Sequence, residues 1–234
     1  MDIAVYTQMP HPQIRQQVLD MVKEYHTDLS MLGTPPSNHL HEIYNWSLVV
    51  EVDLYMHRIG KIPEFPVELV IASDQGKVIG FVLALPVATH PDACAITYMA
   101  VATPARRRGV GSAMMKSVLA RYPHTELTCF VPKVPFYEKL GFKVIDVRNT
   151  QLVMNTRDQS TEGRIGIVDT NSIAQTAEAQ ALQDHLLQRW GRKEMVSSQK
   201  KLARHLEQLS TKAAAFFRER SDRAGVSIVG TEKV

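Results

Sequence analysis

Fifteen residues, VATPARRRGVGSAMM from Val101 to Met115, constrain the chain more than any other stretch. The β-rich run ACAITYMAV leads into three consecutive arginines and Gly-Val-Gly. Ser112 to Arg121 then reads as a helix, with Met114, Met115, Val118 and Leu119 on its apolar side. A strand that passes through such a loop into a helix leaves backbone N–H groups at the helix N-terminus without intrahelical partners, and the helix dipole adds positive potential there. That combination suits phosphate oxygens. Gly109 and Gly111 allow the backbone to approach a ligand closely, and the arginines add charge. The spacing is neither the P-loop, since no Lys-Ser or Lys-Thr follows the glycines, nor the dinucleotide fingerprint. Without the glycines, the arginines would read as an ordinary solvated charge run.

The segments around this loop set the fold class. IAVYT alternates as a short strand, and Ile14, Val18, Met21, Val22 and Tyr25 recur at helical spacing over Gln13 to Asp28. GTPPSN at residues 33–38 is a loop, followed by helical material from His39 to His57. VELVIAS and VIGFVLALPV flank DQGK, the signature of a hairpin, and Ala93 to Val101 is a further buried strand. Beyond the arginine loop and its helix, ELTCFV reads as a strand, VPFYEKLG as a short helix ended by Gly141, and FKVIDV and TQLVMNT as two final strands. The order predicts an α/β (α+β) domain over residues 1–156, with a mixed central sheet flanked by helices and a crossover helix.

Composition changes after Met154. RDQSTEGRIG at 157–166 predicts a linker over 157–168, and residues 169–234 form a helical C-terminal extension with helices at Asp169–Arg189 and Glu194–Arg223 around Gly191. In the second, Met195, Leu202, Leu206, Leu209, Ala213 and Phe216 make an apolar stripe. A helix docked on the domain and a homodimer contact through the C-terminal helices both account for it. Arg189 to Arg223 carries ten Lys or Arg against four Asp or Glu, but lacks a reading motif or interleaved aromatics, so nucleic acid is not the expected partner.

Composition excludes several other classes. Hydrophobic content of 44% and charged content of 22% suit a globular chain, and a formal charge of +3 does not by itself imply a polyanion partner. No apolar run approaches the roughly 18 residues that span a bilayer, and the first residues lack a secretion signal, so a cytoplasmic protein is expected, with no membrane partner. Cys94 and Cys129 stand apart without CxxC spacing and are expected to be reduced. No Cys or His completes the pattern begun by His39 and His41, so no metal is expected.

Two motifs together resemble the GNAT superfamily of N-acetyltransferases. Arg106, Gly109 and Gly111 occupy the fixed positions of its Arg/Gln-x-x-Gly-x-Gly/Ala motif. VPFYEKLGF, Val134 to Phe142, is similar to its C-terminal signature. The resemblance covers about residues 1–155 and does not extend to the C-terminal helices. It implies the acyl-CoA N-acyltransferase fold with a V-shaped opening between two central parallel strands, and acetyl-CoA as co-substrate. Met99, Ala100 and Val101 would then face the pantetheine, while the backbone of Arg106, Arg107, Arg108, Gly109, Val110, Gly111 and Ser112 would hold the pyrophosphate.

The same resemblance implies acetyl transfer to a primary amine by direct attack in a ternary complex. Tyr137 takes the place of the phenol that protonates the departing thiolate; with a reference pKa of about 10 it is protonated at neutral pH. The general base is not legible. Ala95 and Thr97 occupy positions where relatives carry an acid or a histidine, and His90, Asp92, His41 and Glu42 read as surface residues. Phe130 replaces an Asn common in the family, and the local VPFY pattern tilts the expectation toward a small-amine acceptor. The alternative is an acetyl-CoA-binding regulatory protein or a protein-lysine acetyltransferase whose C-terminal helices dock a partner. An acceptor groove lined by Trp46, Tyr55 or Tyr98 would favour a small amine.

Overall fold

Alternation along the central strands sorts the chain into layers. In the computed structural model, which describes residues 1–223, seven strands form one sheet in the order β1-β2-β3-β4-β5-β7-β6. The first four, β1 (Asp2–Tyr6), β2 (Glu68–Asp74), β3 (Lys77–Val87) and β4 (His90–Val101), pair antiparallel. β4 then pairs parallel with β5 (His124–Cys129), and β7 (Gln151–Asn155) inserts antiparallel between β5 and β6 (Lys143–Arg148). The β2–β3 turn places Gln75 at φ 48° and Gly76 at φ 75°, the two left-handed residues of a tight hairpin that matches the strand twist.

Successive strand side chains point to opposite faces. Leu69, Ile71, Phe81, Leu83 and Leu85 enter one core, beneath α1 (Pro12–Glu24), α2 (His26–Leu29), α3 (His41–Arg58) and α6 (Thr170–Ala174). Their neighbours Val70, Ala72, Val82 and Ala84 enter the other, beneath α4 (Val110–Arg121) and α5 (Val134–Glu138). Each fully buried Leu, Ile or Phe contributes about 1.5–3 kcal/mol relative to exposure, so a one-residue slip of β3 would reverse both faces at once. Bidentate ion pairs fasten helices to these layers. Arg15 of α1 meets Asp53 of α3 at 2.5 Å through both nitrogens, and Arg121 of α4 meets Glu68 at 2.5 and 2.6 Å.

Several element boundaries differ from the sequence reading. The helix expected over Gln13 to Asp28 breaks at Tyr25, whose hydroxyl accepts from Thr103 N at 2.8 Å. The strand expected as ELTCFV runs from His124 to Cys129 instead, because Val131–Lys133 winds into a 3-10 turn. The helix expected from Asp169 to Arg189 is interrupted after Ala174, and Thr176 Oγ1 accepts from Ala179 N at 3.2 Å to start the next helix. α7 (Ala177–Arg223) kinks at Gly191, which adopts φ 75° and ψ 156°. The apolar stripe of α7 lies against the domain: Leu202 and Ala213 are buried, and Ala213, Phe216 and Phe217 join the core under α4. Residues 157–168 contain no helix or strand, yet Val168 at their end and Ile173 of α6 are buried in the core with α3. Residues 224–234 of the predicted extension lie outside the described residues.

Candidate functional site

The site is built where β4 loses a partner. Ala93 to Ile96 pair with His124 to Leu127 of β5, while pairing with β3 continues up to Val101. Residues 97–101 thus have a strand neighbour on one edge only, and a register shift between Tyr98 and Ile96 bends β4 at the point of divergence. Met99, Ala100 and Val101, expected at the site, all lie on this half-paired stretch; Ala100 is buried and the other two are partly buried.

The chain leaves β4 through a 3-10 turn at Thr103–Ala105 and a turn over Arg106 to Gly109. Arg107 and Gly109 adopt φ 62° and φ 80°. The first helical bond of α4 runs from Ala113 N to Gly109 O at 2.9 Å, so the amides of Val110, Gly111 and Ser112 precede the helical ladder. Gly109 sits at the N-cap, and no side chain caps the helix. Uncapped amides at a positive helix end are suited to receive an anion.

The two glycines have different roles. A Cβ at Gly109 would meet nothing within 4 Å, so glycine serves there for its left-handed backbone and open face. A Cβ at Gly111 would lie 2.9 Å from Met99 Cε and 3.2 Å from Phe136 Cζ. Close packing of α4 on β4 and α5 therefore leaves little room at 111, where a side chain would displace the Met99 methyl, a reason the sequence did not disclose.

The arginine side chains also divide. Arg106 turns back, with Nε donating to Val101 O at 3.0 Å, Nη2 to Asp28 Oδ2 at 3.1 Å, and its guanidinium over the Tyr25 ring at 5.0 Å. Lys133, just beyond β5, reaches the other oxygen of Asp28 at 3.1 Å. Asp28 thereby bridges the ends of the two diverging strands; burial pushes its carboxyl up, but Lys133 and Arg106 outweigh this and hold it below its ordinary value. Arg108 lies 3.8 Å from Asp74, and exposed Arg107 has no ion pair among the described residues. A groove of about 540 Å³ runs outside the loop, past Tyr25, Asp74, Ile79, Ala102, Pro104 and Arg108.

Tyr137 stands across the gap on α5. Its hydroxyl donates to Met99 Sδ at 3.8 Å, and its ring lies edge-on to Phe136 and Phe142. Burial, with a smaller contribution from Cys129, raises its pKa, so the phenol stays protonated. Met99 is the shared neighbour: its sulfur takes the Tyr137 hydrogen bond, and its methyl packs against Gly111.

The four outlying acid-base residues have other partners. His41 Nδ1 is 2.8 Å from Thr34 O, Glu42 lies 4.0 Å from Arg189, His90 contacts Thr89 Oγ1 at 2.9 Å, and Asp92 pairs with Arg157 at 2.6 Å. Of the three aromatic residues considered for an acceptor groove, Tyr55 is buried and its hydroxyl accepts from Val168 N at 3.0 Å. Trp46 and Tyr98 are partly buried against the α1/α3 core. Sequence reasoning missed Glu51 of α3, which accepts from Tyr98 Oη at 2.7 Å. A pairing across 47 residues leaves no spacing signal. Cys94 and Cys129 are free and buried, and burial pushes each thiol up to about 12. Among the described residues no His, Cys, Asp or Glu group can hold a metal ion, and no helix is long and apolar enough to cross a membrane.

Comparison with known proteins matches this geometry. Residues 66–144, which hold the β2–β3 hairpin, β4, the arginine loop, α4, β5 and α5, match the acetyltransferase (GNAT) domain family. A curated relative, peptidyl-lysine N-acetyltransferase YiaC of Escherichia coli (strain K12), is 34% identical over 76 residues, which are 31% of this chain and 48% of that protein. The match thus spans about half of that relative's length. Two solved structures share the fold. The PaiA N-acetyltransferase from Thermoplasma acidophilum, in complex with coenzyme A, superposes at a TM-score of 0.54 and 13% identity, covering 67% of this chain and 99% of its own. An aminoglycoside 6'-N-acetyltransferase complexed with coenzyme A superposes at 0.51 and 17% identity, covering 69% and 100%. Residues 66–144 are thus similar to the acetyltransferase (GNAT) domain family, and the chain shares the fold of these two solved acetyltransferases.

Proposed function

We propose that this protein is an acetyl-CoA-dependent N-acetyltransferase acting on a primary amine, with a small amine as acceptor. The observation that carries the reading is the uncapped N-terminus of α4, which opens at the half-paired end of β4. The site fits the co-substrate. Amides of Val110, Gly111 and Ser112, with the turn from Arg106 to Gly109, would hold the pyrophosphate, and exposed Arg107 adds positive charge. The edge of Met99 and Ala100, which β5 does not pair, could take an amide-containing arm in the manner of an added strand, while Val101 O is held by Arg106. Coenzyme A complexes of the two structural neighbours support the same ligand class.

Bound acetyl-CoA supplies an acetyl group on a thioester carbon: the amine, deprotonated to its neutral form by loss of a proton to water, bonds through nitrogen to that carbon and sheds a second proton to water, the carbon–sulfur bond breaks, and the sulfur leaves with the electron pair and takes up a proton. The chain's part is positional and protonic. Tyr137, kept protonated by burial, already directs its O–H at a sulfur, that of Met99, and is placed to give a proton to a thiolate. The backbone of the splayed strand offers donors for negative charge that develops on the carbonyl oxygen.

Release of free thiol from acetyl-CoA on adding primary amines tests the reading. Amine-dependent release supports it; acetyl-CoA binding with no release for any small amine or lysine peptide would leave the regulatory alternative. The peptidyl-lysine specificity of the E. coli relative keeps a protein-lysine acceptor as the second reading, to be separated from the first by comparing the two acceptor types in one assay.

A further inference from the structure

Glu51 is a carboxylate without a counter-ion. It lies partly buried on α3 and accepts one hydrogen bond, from Tyr98 Oη to Oε1 at 2.7 Å. No lysine, arginine or histidine among the described residues forms an ion pair with it. Nearby cations are engaged elsewhere: Arg15 and His57 face Asp53, and Arg58 lies over Tyr55 and donates to Ile167 O. Withdrawing a carboxylate from water without pairing it is costly, and burial raises the pKa of Glu51 despite the Tyr98 hydrogen bond.

Its position suggests a use for the charge. Tyr98 belongs to the half-paired stretch of β4 and packs against the α1/α3 core; the next residue, Met99, packs against the α4/α5 core and contacts Tyr137. The carboxylate and the catalytic candidate phenol thus flank one strand segment from opposite faces. A co-substrate seated on the α4 side and an acceptor arriving from the α3 side would meet at the free edge of β4. Trp46 of α3 is partly buried against the same core.

We propose that Glu51, held by Tyr98, receives the positive charge of the acceptor, so that the acceptor is a cationic primary amine entering from the α3 face. The proposal rests on the acetyltransferase reading and adds the chemistry and direction of the second substrate. Glu51 is a specificity-determining residue, and Tyr98 positions it.

The test uses the full chain, with acetyl-CoA and two kinds of acceptor: cadaverine and a lysine peptide, which are cationic, and p-anisidine, which is neutral at pH 7.5. Acetyl-CoA affinity is measured by calorimetry for the wild type, Glu51→Gln and Tyr98→Phe. Glu51→Gln should leave that affinity unchanged and raise KM for cationic acceptors by about tenfold to a hundredfold, as expected for loss of a hydrogen bond to a charged group. The neutral amine should be unaffected, and Tyr98→Phe should give a smaller rise in KM. Thermal melting checks that the isosteric variant folds. The proposal is overturned by unchanged KM for cations in Glu51→Gln, by equal loss with p-anisidine, or by a wild type that binds acetyl-CoA yet acetylates neither cationic acceptor. A wild type that does not bind acetyl-CoA overturns the underlying acetyltransferase reading instead.

Discussion

The Tyr137 hydroxyl reaches the Met99 sulfur at 3.8 Å, across the gap where β4 and β5 part. Under the proposed function, a phenol that finds a sulfur acceptor here would serve the departing thiolate in the same way. Replacement Tyr137→Phe removes the proton and keeps the ring contacts with Phe136 and Phe142. Turnover should fall about a hundredfold while coenzyme A affinity stays within about twofold, because a general acid acts in the transition state. Steady-state rates with parallel calorimetry check this; wild-type turnover would remove Tyr137 from the chemistry.

The two glycines of the loop should respond differently to substitution. Gly109→Ala meets no neighbour but places a side chain at φ 80°, which costs about 1 kcal/mol of stability. Gly111→Ala drives a methyl against Met99 Cε and Phe136, so Met99 must move and its contact with Tyr137 is disturbed. Gly111→Ala should therefore impair turnover more than Gly109→Ala does, and urea unfolding together with rates will show it. Equal effects would mean that the packing of Met99 does not matter for the site.

His26 gives the fold a pH dependence. It is 1% exposed, and burial, reinforced by His41, lowers its pKa to about 4. The unfolded chain takes up this proton near pH 6.5, so between there and pH 4 the unfolded state binds more protons than the folded one. Stability present above pH 6.5 is lost as the pH falls through that window, by on the order of 3 kcal/mol at its lower end. Chemical denaturation of the wild type and His26→Leu at pH 7 and 4.5 measures the difference. The variant should show a shallower acid loss, and parallel profiles would rule out His26 as the cause.

Cys94 and Cys129 should be inert in the folded protein. Burial pushes both thiols up to about 12, and they are 3% and 5% exposed. A disulfide reagent at pH 8 is expected to label neither until denaturant is added, and both afterwards. Fast native labelling would mean that the strands carrying them open readily.

The legible parts of this structure were those with a local signal. The hairpin turn at Gln75-Gly76, the strand–loop–helix at Val101 to Arg121 and the apolar stripe of α7 each rest on neighbours in sequence. The break at Tyr25 depends on a hydrogen bond from Thr103, and the 3-10 turn after Cys129 belongs to the segment that places Lys133 on Asp28. Both are tertiary, so helical or strand periodicity ran past them. At the site, the motif marked Gly109 and Gly111 alike for close approach to a ligand, whereas the left-handed backbone at Gly109 and the packing of Gly111 on Met99 and Phe136 appear only in the fold. Glu51 was invisible because one carboxylate on a helix carries no information until Tyr98 is seen beside it.

The most direct test of the central claim is calorimetric titration of the protein with acetyl-CoA, repeated for Gly109→Asp, whose side chain would sit in open space at the mouth of the uncapped helix end. Micromolar-range binding by the wild type, with a loss of at least about tenfold in the variant and a melting temperature lowered by no more than the few degrees that about 1 kcal/mol of backbone strain costs, is the expected result. Absence of binding by the wild type, or equal binding by the variant, would contradict the assignment of this loop to the co-substrate.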